Sequence, residues 1–331
     1  MPFKYNEISA NSKGGTELVC RGLEKRLIES GNADLVEFFD IWPSRIRDID
    51  WSRPNIYWAH DLPGDPEADI LVERSEDFKA LVFVSNWQYS QFMSHYKLSG
   101  ANAIVIQNAI EPILGHKLSQ WDTKDLGSKE NPIRLIYHTT PHRGLQILVP
   151  VFDALQKVWE ERGIHLVLDV YSSFSIYGWP QRDEAYEQIF QACKNHPHIN
   201  YHGAVSNEEV REALTKSHIF AYPSIWQETS CIAAIEAMSA NVLIVSSNLG
   251  ALPETTGNLG FDYPIQNSLE ANANRFFGTL SNAIELFAND VNQLKYITNM
   301  AAYRCNALYS WNSVIPQWVN TLRFLKSQVA S

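Results

Sequence analysis

Ala221-Tyr-Pro-Ser-Ile-Trp-Gln-Glu-Thr-Ser-Cys-Ile-Ala-Ala-Ile-Glu-Ala-Met238 runs directly into Ser239-Ala-Asn-Val-Leu-Ile-Val-Ser-Ser247. The apolar run Ile219 to Tyr222 reads as a buried strand stopped by Pro223-Ser224. A polar loop carrying Gln227 and Glu228 follows, and Thr229 or Ser230 is placed to cap a helix of strong formers that ends near Asn241. Val242 to Ser246 then reads as a second buried strand. Such a strand–loop–helix–strand unit aims a helix N-terminus at the top of a parallel sheet, where phosphate binds. Two glutamates, Glu228 and Glu236, sit in it with seven residues between them. With Ser230 as N-cap, Glu236 lies about 9 Å along the helix and the two carboxylates straddle its start. The amides of Cys231 and Ile232 are then first-turn donors suited to a phosphate or a sugar hydroxyl.

Working outward, apolar strands alternate with helices on both sides. Upstream, Asp34 to Phe39, Ile56 to Ala59, Ala80 to Ser85 and Ala103 to Ile106 read as strands, with helices from Leu18 to Gly31 and from Asn86 to Tyr96. Phe3 to Ser9 is a weak strand, followed by the glycine loop Asn11 to Glu17. From Glu111 to Pro132 the chain turns polar, as a linker does. A second series follows: strands Ile133–Tyr137, His165–Val170 and Ile199–His202, with helices over Leu145–Arg162, Asp183–Asn195 and, from the capping box Ser206-Asn-Glu-Glu209, on to Lys216. The tail is helical over Ser268–Ala288, Asp290–Tyr309 and Asn312–Val329. The alternation implies α/β architecture with parallel sheets.

At 331 residues the chain is long enough for two domains. It carries 27 basic and 37 acidic residues, a net −10, so a basic face for nucleic acid is not expected. The four cysteines, Cys20, Cys193, Cys231 and Cys305, form no CxxC pair, which argues for a reducing compartment and against a zinc site. No apolar run reaches the length of a membrane span, and Met1-Pro-Phe-Lys-Tyr-Asn-Glu7 has no apolar signal core. A cytoplasmic location is expected, with any membrane contact peripheral.

The central stretch resembles the Glu–seven residues–Glu signature of the family 4 retaining glycosyltransferases, and the resemblance extends over nearly the whole chain. Ala80 to Gln91 and Ile104-Val-Ile-Gln-Asn108 resemble the family's first domain. Tyr201-His-Gly203, Tyr222-Pro-Ser224 and Gly250-Ala-Leu-Pro-Glu254 resemble its second. The resemblance implies the GT-B fold: two Rossmann-like domains facing a central cleft, with a C-terminal helix crossing back to the first. On that pattern residues 1–115 form the acceptor-side domain with a shortened first strand, 130–308 the nucleotide-sugar domain, and 309–331 the returning helix. The implied activity is metal-independent, configuration-retaining transfer of a hexosyl unit from a UDP- or GDP-sugar to a hydroxyl of a glycan or other acceptor. No cofactor beyond that donor is implied.

By the same resemblance, Glu236 accepts hydrogen bonds from the donor ribose and Glu228 contacts the donor sugar. The family's usual Gly-Leu pair is matched here to Ser230-Cys231, followed by Ile232. In His138-Thr-Thr-Pro-His-Arg-Gly144, Arg143 stands directly before Gly144, where the family has a phosphate-binding cation. The family's second cation is replaced by Thr139 or Thr140, which leaves His142 or Lys13 to supply the charge. Gly14-Gly15 reads as a donor-facing loop. His60, at a strand end, would lie near the transferred sugar or the acceptor. His196, His198 and His202 straddle a helix end and a strand, a poor metal set, and Phe174, Tyr177 and Trp179 form an aromatic loop. Two other classes stay open: a catalytically inactive nucleotide-sugar- or glycan-binding protein, and a glycoside hydrolase using Glu228 and Glu236 as a carboxylate pair.

Overall fold

The computed structural model describes residues 14–44, 49–113 and 125–329. The expected strand Phe3 to Ser9, and Lys13, lie outside the described residues. The chain divides into two compact units, one made of Met1–Glu111 with Ala307–Ser331 and the other of Pro112–Asn306.

In the first unit, α1 (Gly15–Glu29) and α2 (Ala33–Phe38) precede β1 (Asp40–Pro43) and β2 (Asn55–Ala59). Then come α3 (Leu71–Arg74), β3 (Ala80–Phe83), α4 (Asn86–Tyr96) and β4 (Ala103–Val105). The four strands are parallel, in the order β1-β2-β3-β4, with Trp42 opposite Tyr57 and Tyr57 opposite Leu81. Every residue of β1, β2 and β3 is buried, as in a sheet covered on both faces. The strand expected over Asp34 to Phe39 is instead a helix, with the strand displaced to Asp40–Pro43. A short apolar run carries no period long enough to separate the two states. Tertiary contacts decide it: α2 lies against α1 and the C-terminal helix, where Asp34 meets Lys326 Nζ at 2.7 Å.

The Ser-Asn-Trp-Gln pattern after β3 now has a structural cause. Ser85 caps α4 by accepting from the Gln88 amide at 3.0 Å. The wholly buried Gln88 side chain accepts from Val84 N and donates to Asp61 O, tying β3 to the loop after β2. The C-terminal helix, Trp311–Val329, buries Trp311, Val314, Trp318 and Leu322 along one stripe in this unit. Its Trp318 ring lies 4.9 Å from that of Trp58, and Arg26 of α1 covers Trp311 at 4.7 Å.

The second unit contains β5 (Ile133–Tyr137), α5 (Leu145–Glu160), β6 (Leu166–Val170), α6 (Glu187–Asn195) and β7 (Ile199–Tyr201). It continues with α7 (Asn207–Leu214), β8 (Ile219–Tyr222), α8 (Ile232–Ser239), β9 (Leu243–Ser247), α9 (Leu252–Thr256) and β10 (Phe261–Tyr263). Two long helices close it, α10 (Leu269–Asn289) and α11 (Val291–Leu308). The six strands are parallel in the order β10-β9-β8-β5-β6-β7, the doubly wound arrangement. The order reverses between β5 and β8, so their carboxyl ends form the switch point where such sheets bind ligands. The helix expected from Asp183 starts later, because Pro180–Tyr186 winds as tighter 3-10 turns. Among the described residues no helix is long and apolar enough to cross a membrane.

Trp318 is 1% exposed. Trp318→Ala is expected to destabilise the first unit by about 3–5 kcal/mol, read as a lowered denaturant midpoint. A loss below about 1 kcal/mol would mean that the C-terminal helix adds little to that core.

Candidate functional site

Two loops meet at the switch point of the second unit. Residues 138–144 leave β5, and residues 223–231 leave β8. They touch at one backbone contact: a Cβ on Gly144, whose φ is +123°, would lie 2.1 Å from Pro223 O. Only glycine gives both that conformation and that space. The contact brings Arg143, the residue before it, to Glu228.

Arg143 Nη1 and the Tyr222 hydroxyl both donate to Glu228 Oε1 in short hydrogen bonds. The pair is largely buried, with the Arg143 side chain 22% and the Glu228 side chain 5% exposed. Burial works against the charge of Arg143, but Glu228 beside it holds the guanidinium firmly protonated. Burial, and then Glu228, push the Tyr222 phenol well up, so it stays a donor. The Glu228 main chain is pinned from a third loop. It bridges Gly250, its carbonyl accepts from Ala251 N at 2.7 Å, and a Cβ on Gly250 would stand 2.6 Å from that carbonyl. Ser247 Oγ donates to Ser224 O, and Thr255 Oγ1 to Ser230 O.

The entry to α8 differs from the expected one. Neither Thr229 nor Ser230 caps it; the N-cap is Cys231, in the left-handed region at φ 62°. Ser230 is buried with its carbonyl spent on Thr255, so the helix starts one residue later, at Ile232. The left-handed conformation is the one glycine adopts without strain. The glycine-like conformation therefore sits at Cys231, one residue after Ser230. The Cys231 thiol is pushed well up by burial and then by Glu228, against the pull of the Ala234 amide, so it is protonated.

Glu236, on α8, is 6% exposed. Arg211 Nη1 donates to its Oε1 at 3.1 Å, and Asn207 Nδ2 reaches Oε1 at 3.3 Å and Oε2 at 3.4 Å. Burial raises its carboxyl above the ordinary range, with Arg211 pulling the other way. Neither Arg211 nor Asn207 stands out in the sequence. The signal was the capping box at Ser206, which sets Asn207 and Arg211 four apart on one face of α7.

The loop from β5 collects buried polar atoms that find no hydrogen-bond partner among the described residues: His138 Nε2, Thr139 Oγ1, Thr140 Oγ1, His142 Nδ1 and Arg143 Nε. Native proteins leave few such groups. Burial depresses His138 to about 3 and His142 to about 4, with Arg143 and Arg182 adding to the fall at His142, so both imidazoles are neutral. Thr139 lies beside the Tyr137 hydroxyl, which donates to Thr140 O at 2.8 Å. His142 stacks on Phe174, with centroids 5.3 Å apart, and meets Trp226 edge-on at 4.9 Å. Phe174 of the aromatic loop thus packs against the site, while the Tyr177 and Trp179 rings lie 5.4 Å apart, tilted by 32°. His196 and His202 are taken up by Asp153 and Asp169.

Arg143, Glu228, Cys231 and Thr139 are therefore gathered around one switch point, with Ser230, Ile232 and Glu236 on the same loop and helix. The remaining expected residues belong to the first unit. His60 directly follows β2, with Ser44 Oγ accepting from the amides of His60 and Asp61 at 2.7 and 3.1 Å. Burial depresses the imidazole to about 3, so it is neutral. Gly14 is the buried N-cap of α1, and Gly15 its first residue.

Comparison with known proteins bears on this arrangement. Residues 124–274 match the family glycosyl transferases group 1. The chain is 25% identical over 200 residues to a phosphatidylinositol N-acetylglucosaminyltransferase subunit of Arabidopsis thaliana, covering 60% of this chain and 41% of that protein. The Homo sapiens protein of the same name is 32% identical over 68 residues, 20% of this chain and 14% of that one. The chain thus spans less than half the length of these curated relatives. Among solved structures, a glycosyltransferase from Rickettsia africae superposes with TM-score 0.65 at 18% identity, over 96% of this chain and 83% of that one. Anabaena HepE in complex with UDP and glucose gives TM-score 0.66 at 15% identity, over 95% and 97%. At these identities the likeness is one of fold, and that fold is GT-B.

The loop contact can be tested by comparing two glycines. Gly144→Ala is expected to cost roughly 3 kcal/mol or more, since backbone must move. Gly163, with φ +80° and nothing within 4 Å, is expected to lose about 1 kcal/mol as Gly163→Ala. Equal melting midpoints for the two variants would remove the contact from the account.

Proposed function

Since residues 124–274 belong to the glycosyl transferases group 1 family, we propose that the chain is a retaining, metal-independent glycosyltransferase. It takes a hexosyl or N-acetylhexosaminyl unit from a UDP- or GDP-sugar and gives it to a hydroxyl of a glycan or other acceptor. UDP is the favoured carrier, because HepE, which has the same fold, was solved in complex with UDP and glucose. The observation that carries this reading is the set of buried polar atoms on residues 138–143 with no hydrogen-bond partner among the described residues, the Arg143 Nε among them. A carboxylate-pair hydrolase has no use for that cluster, and Glu228 is already committed to Arg143. The proposed compartment is the cytoplasm.

In this reading the second unit holds the donor. Arg143 receives the diphosphate and stabilises its charge as the glycosidic bond to phosphate breaks. The α8 amides from Ile232 onward assist, Glu236 takes the ribose hydroxyls, and Glu228 orients the sugar. Gly14 and Gly15, at the start of α1, are kept as a donor-facing loop. His60, neutral and buried, contacts the transferred sugar or the acceptor as a hydrogen-bonding group, not as a cation. Thr139 and Thr140 cannot supply a second positive charge, and neutral His142 does not supply one. Among the described residues of this loop the leaving group therefore leans on Arg143.

Arg143 is also neutralised by Glu228 before any donor arrives, so donor phosphate must compete with that carboxylate. Glu228→Gln is expected to bind UDP about tenfold more tightly by calorimetry, while turnover with the UDP-sugar falls. Weaker UDP binding by this variant would sink the competition. The reading as a whole is tested by thermal shift with a panel of UDP- and GDP-sugars, a folded-state ligand raising the melting temperature. Product analysis should then show the donor's anomeric configuration kept and activity unaffected by chelator. Cleavage of free oligosaccharide with no use of any nucleotide sugar would overturn it.

A further inference from the structure

The two glutamates of the central stretch are held very differently. Glu228 Oε1 is saturated by Arg143 and Tyr222. Glu236 is asymmetric. Its Oε1 takes Arg211 and Asn207, while its Oε2 receives, among the described residues, only the 3.4 Å contact from Asn207. An ionised carboxylate offers about four lone-pair sites, so Oε2 keeps acceptor capacity in a place almost closed to water. Asn207 and Arg211 lie one helical turn apart on α7 and reach the same carboxylate, so α7 acts as a clamp on one of its oxygens.

Resting on the reading of Glu236 as the ribose-binding group, we propose that Arg211 is a positioning residue for nucleotide recognition. It balances the charge of the buried Glu236 carboxylate and turns Oε2 toward the ribose 2′- and 3′-hydroxyls. A carboxylate can accept from both hydroxyls of a diol, whereas the protonated acid must donate from one oxygen. The charged surroundings of Glu236 are few. α7 brings Arg211 and the neutral Asn207. α11 brings Cys305, whose thiol burial pushes up to about 12, and Arg304, which is turned to the α9 carbonyls of Glu254 and Thr255. α9 brings Glu254, and β9 (Leu243–Ser247) brings no charge. Arg211 is thus the cation that opposes burial at Glu236.

The sign of the pH effect follows. The folded-state carboxyl of Glu236 is raised, so diol binding holds above that value and fades as pH falls through it. Without Arg211 the carboxyl rises further, and the acid-side loss moves to higher pH.

The test is UDP binding by calorimetry across pH, with 2′,3′-dideoxy-UDP as the ligand that lacks the diol. Arg211→Met is expected to weaken UDP roughly tenfold or more near neutral pH, to recover toward alkaline pH, and to leave dideoxy-UDP unaffected. Arg211→Lys, which keeps the charge, is expected to restore most of the lost affinity and the original acid limb. In a Glu236→Gln background no buried charge is left uncompensated, and there Arg211→Met is expected to add no further loss. An additional loss in that background, or an acid limb that does not move, would overturn the role of Arg211 while leaving the glycosyltransferase reading intact. Failure of the intact chain to bind either UDP or GDP would overturn both.

Discussion

The buried ion pair between Arg143 and Glu228 is the constraint on which the second unit's site depends. Neither charge could stand alone at this burial, since an unpaired buried ion costs several kcal/mol. Each is therefore placed by the other, and both by the topology. β5 and β8 are neighbours in the sheet but far apart in sequence, so the loops at their carboxyl ends are forced together. The Gly144–Pro223 contact sets the separation of those loops, and Gly250 fixes the main chain beneath Glu228. A side chain at either glycine would meet backbone, which cannot step aside.

Around this pair the structure mixes satisfied and unsatisfied groups in a telling way. Tyr222, Ser247 and Thr255 close the hydrogen bonding beneath the 223–231 loop. The 138–143 loop opposite keeps buried polar atoms that find no partner among the described residues. At the same place Cys231 holds a left-handed backbone, which costs a non-glycine residue about 1–2 kcal/mol. The hydrogen bonding is thus closed beneath the 223–231 loop, and the histidines of the 138–143 loop are neutral, so they add no positive charge beside Arg143.

Most of the architecture was legible in the chain. The buried strands at Ile133–Tyr137 and Ile219–Tyr222 were visible as bounded apolar runs, and the helices as periodic segments, one of them with its capping box at Ser206. Asp34 to Phe39 was misread because six residues hold too little period to separate helix from strand, and packing against α1 and the C-terminal helix made the choice. The cap of α8 was misread for a related reason. Hydroxyl side chains are the usual helix starters, but Ser230 is drawn away by Thr255, and the start passes to a cysteine with no capping propensity of its own.

The amino-acid sequence alone determined the parallel α/β class, the helix entry after β8 and the identity of the charged residues near it. Periodicity, caps and turn residues are local properties and can be read along the chain. Only the tertiary structure decided that Arg143 and Glu228 neutralise each other, that Glu236 is clamped by Asn207 and Arg211, and that Cys231 carries the left-handed turn. Those facts depend on which strands become neighbours at the switch point and on what burial does to a charge, and neither is written in any single stretch of residues.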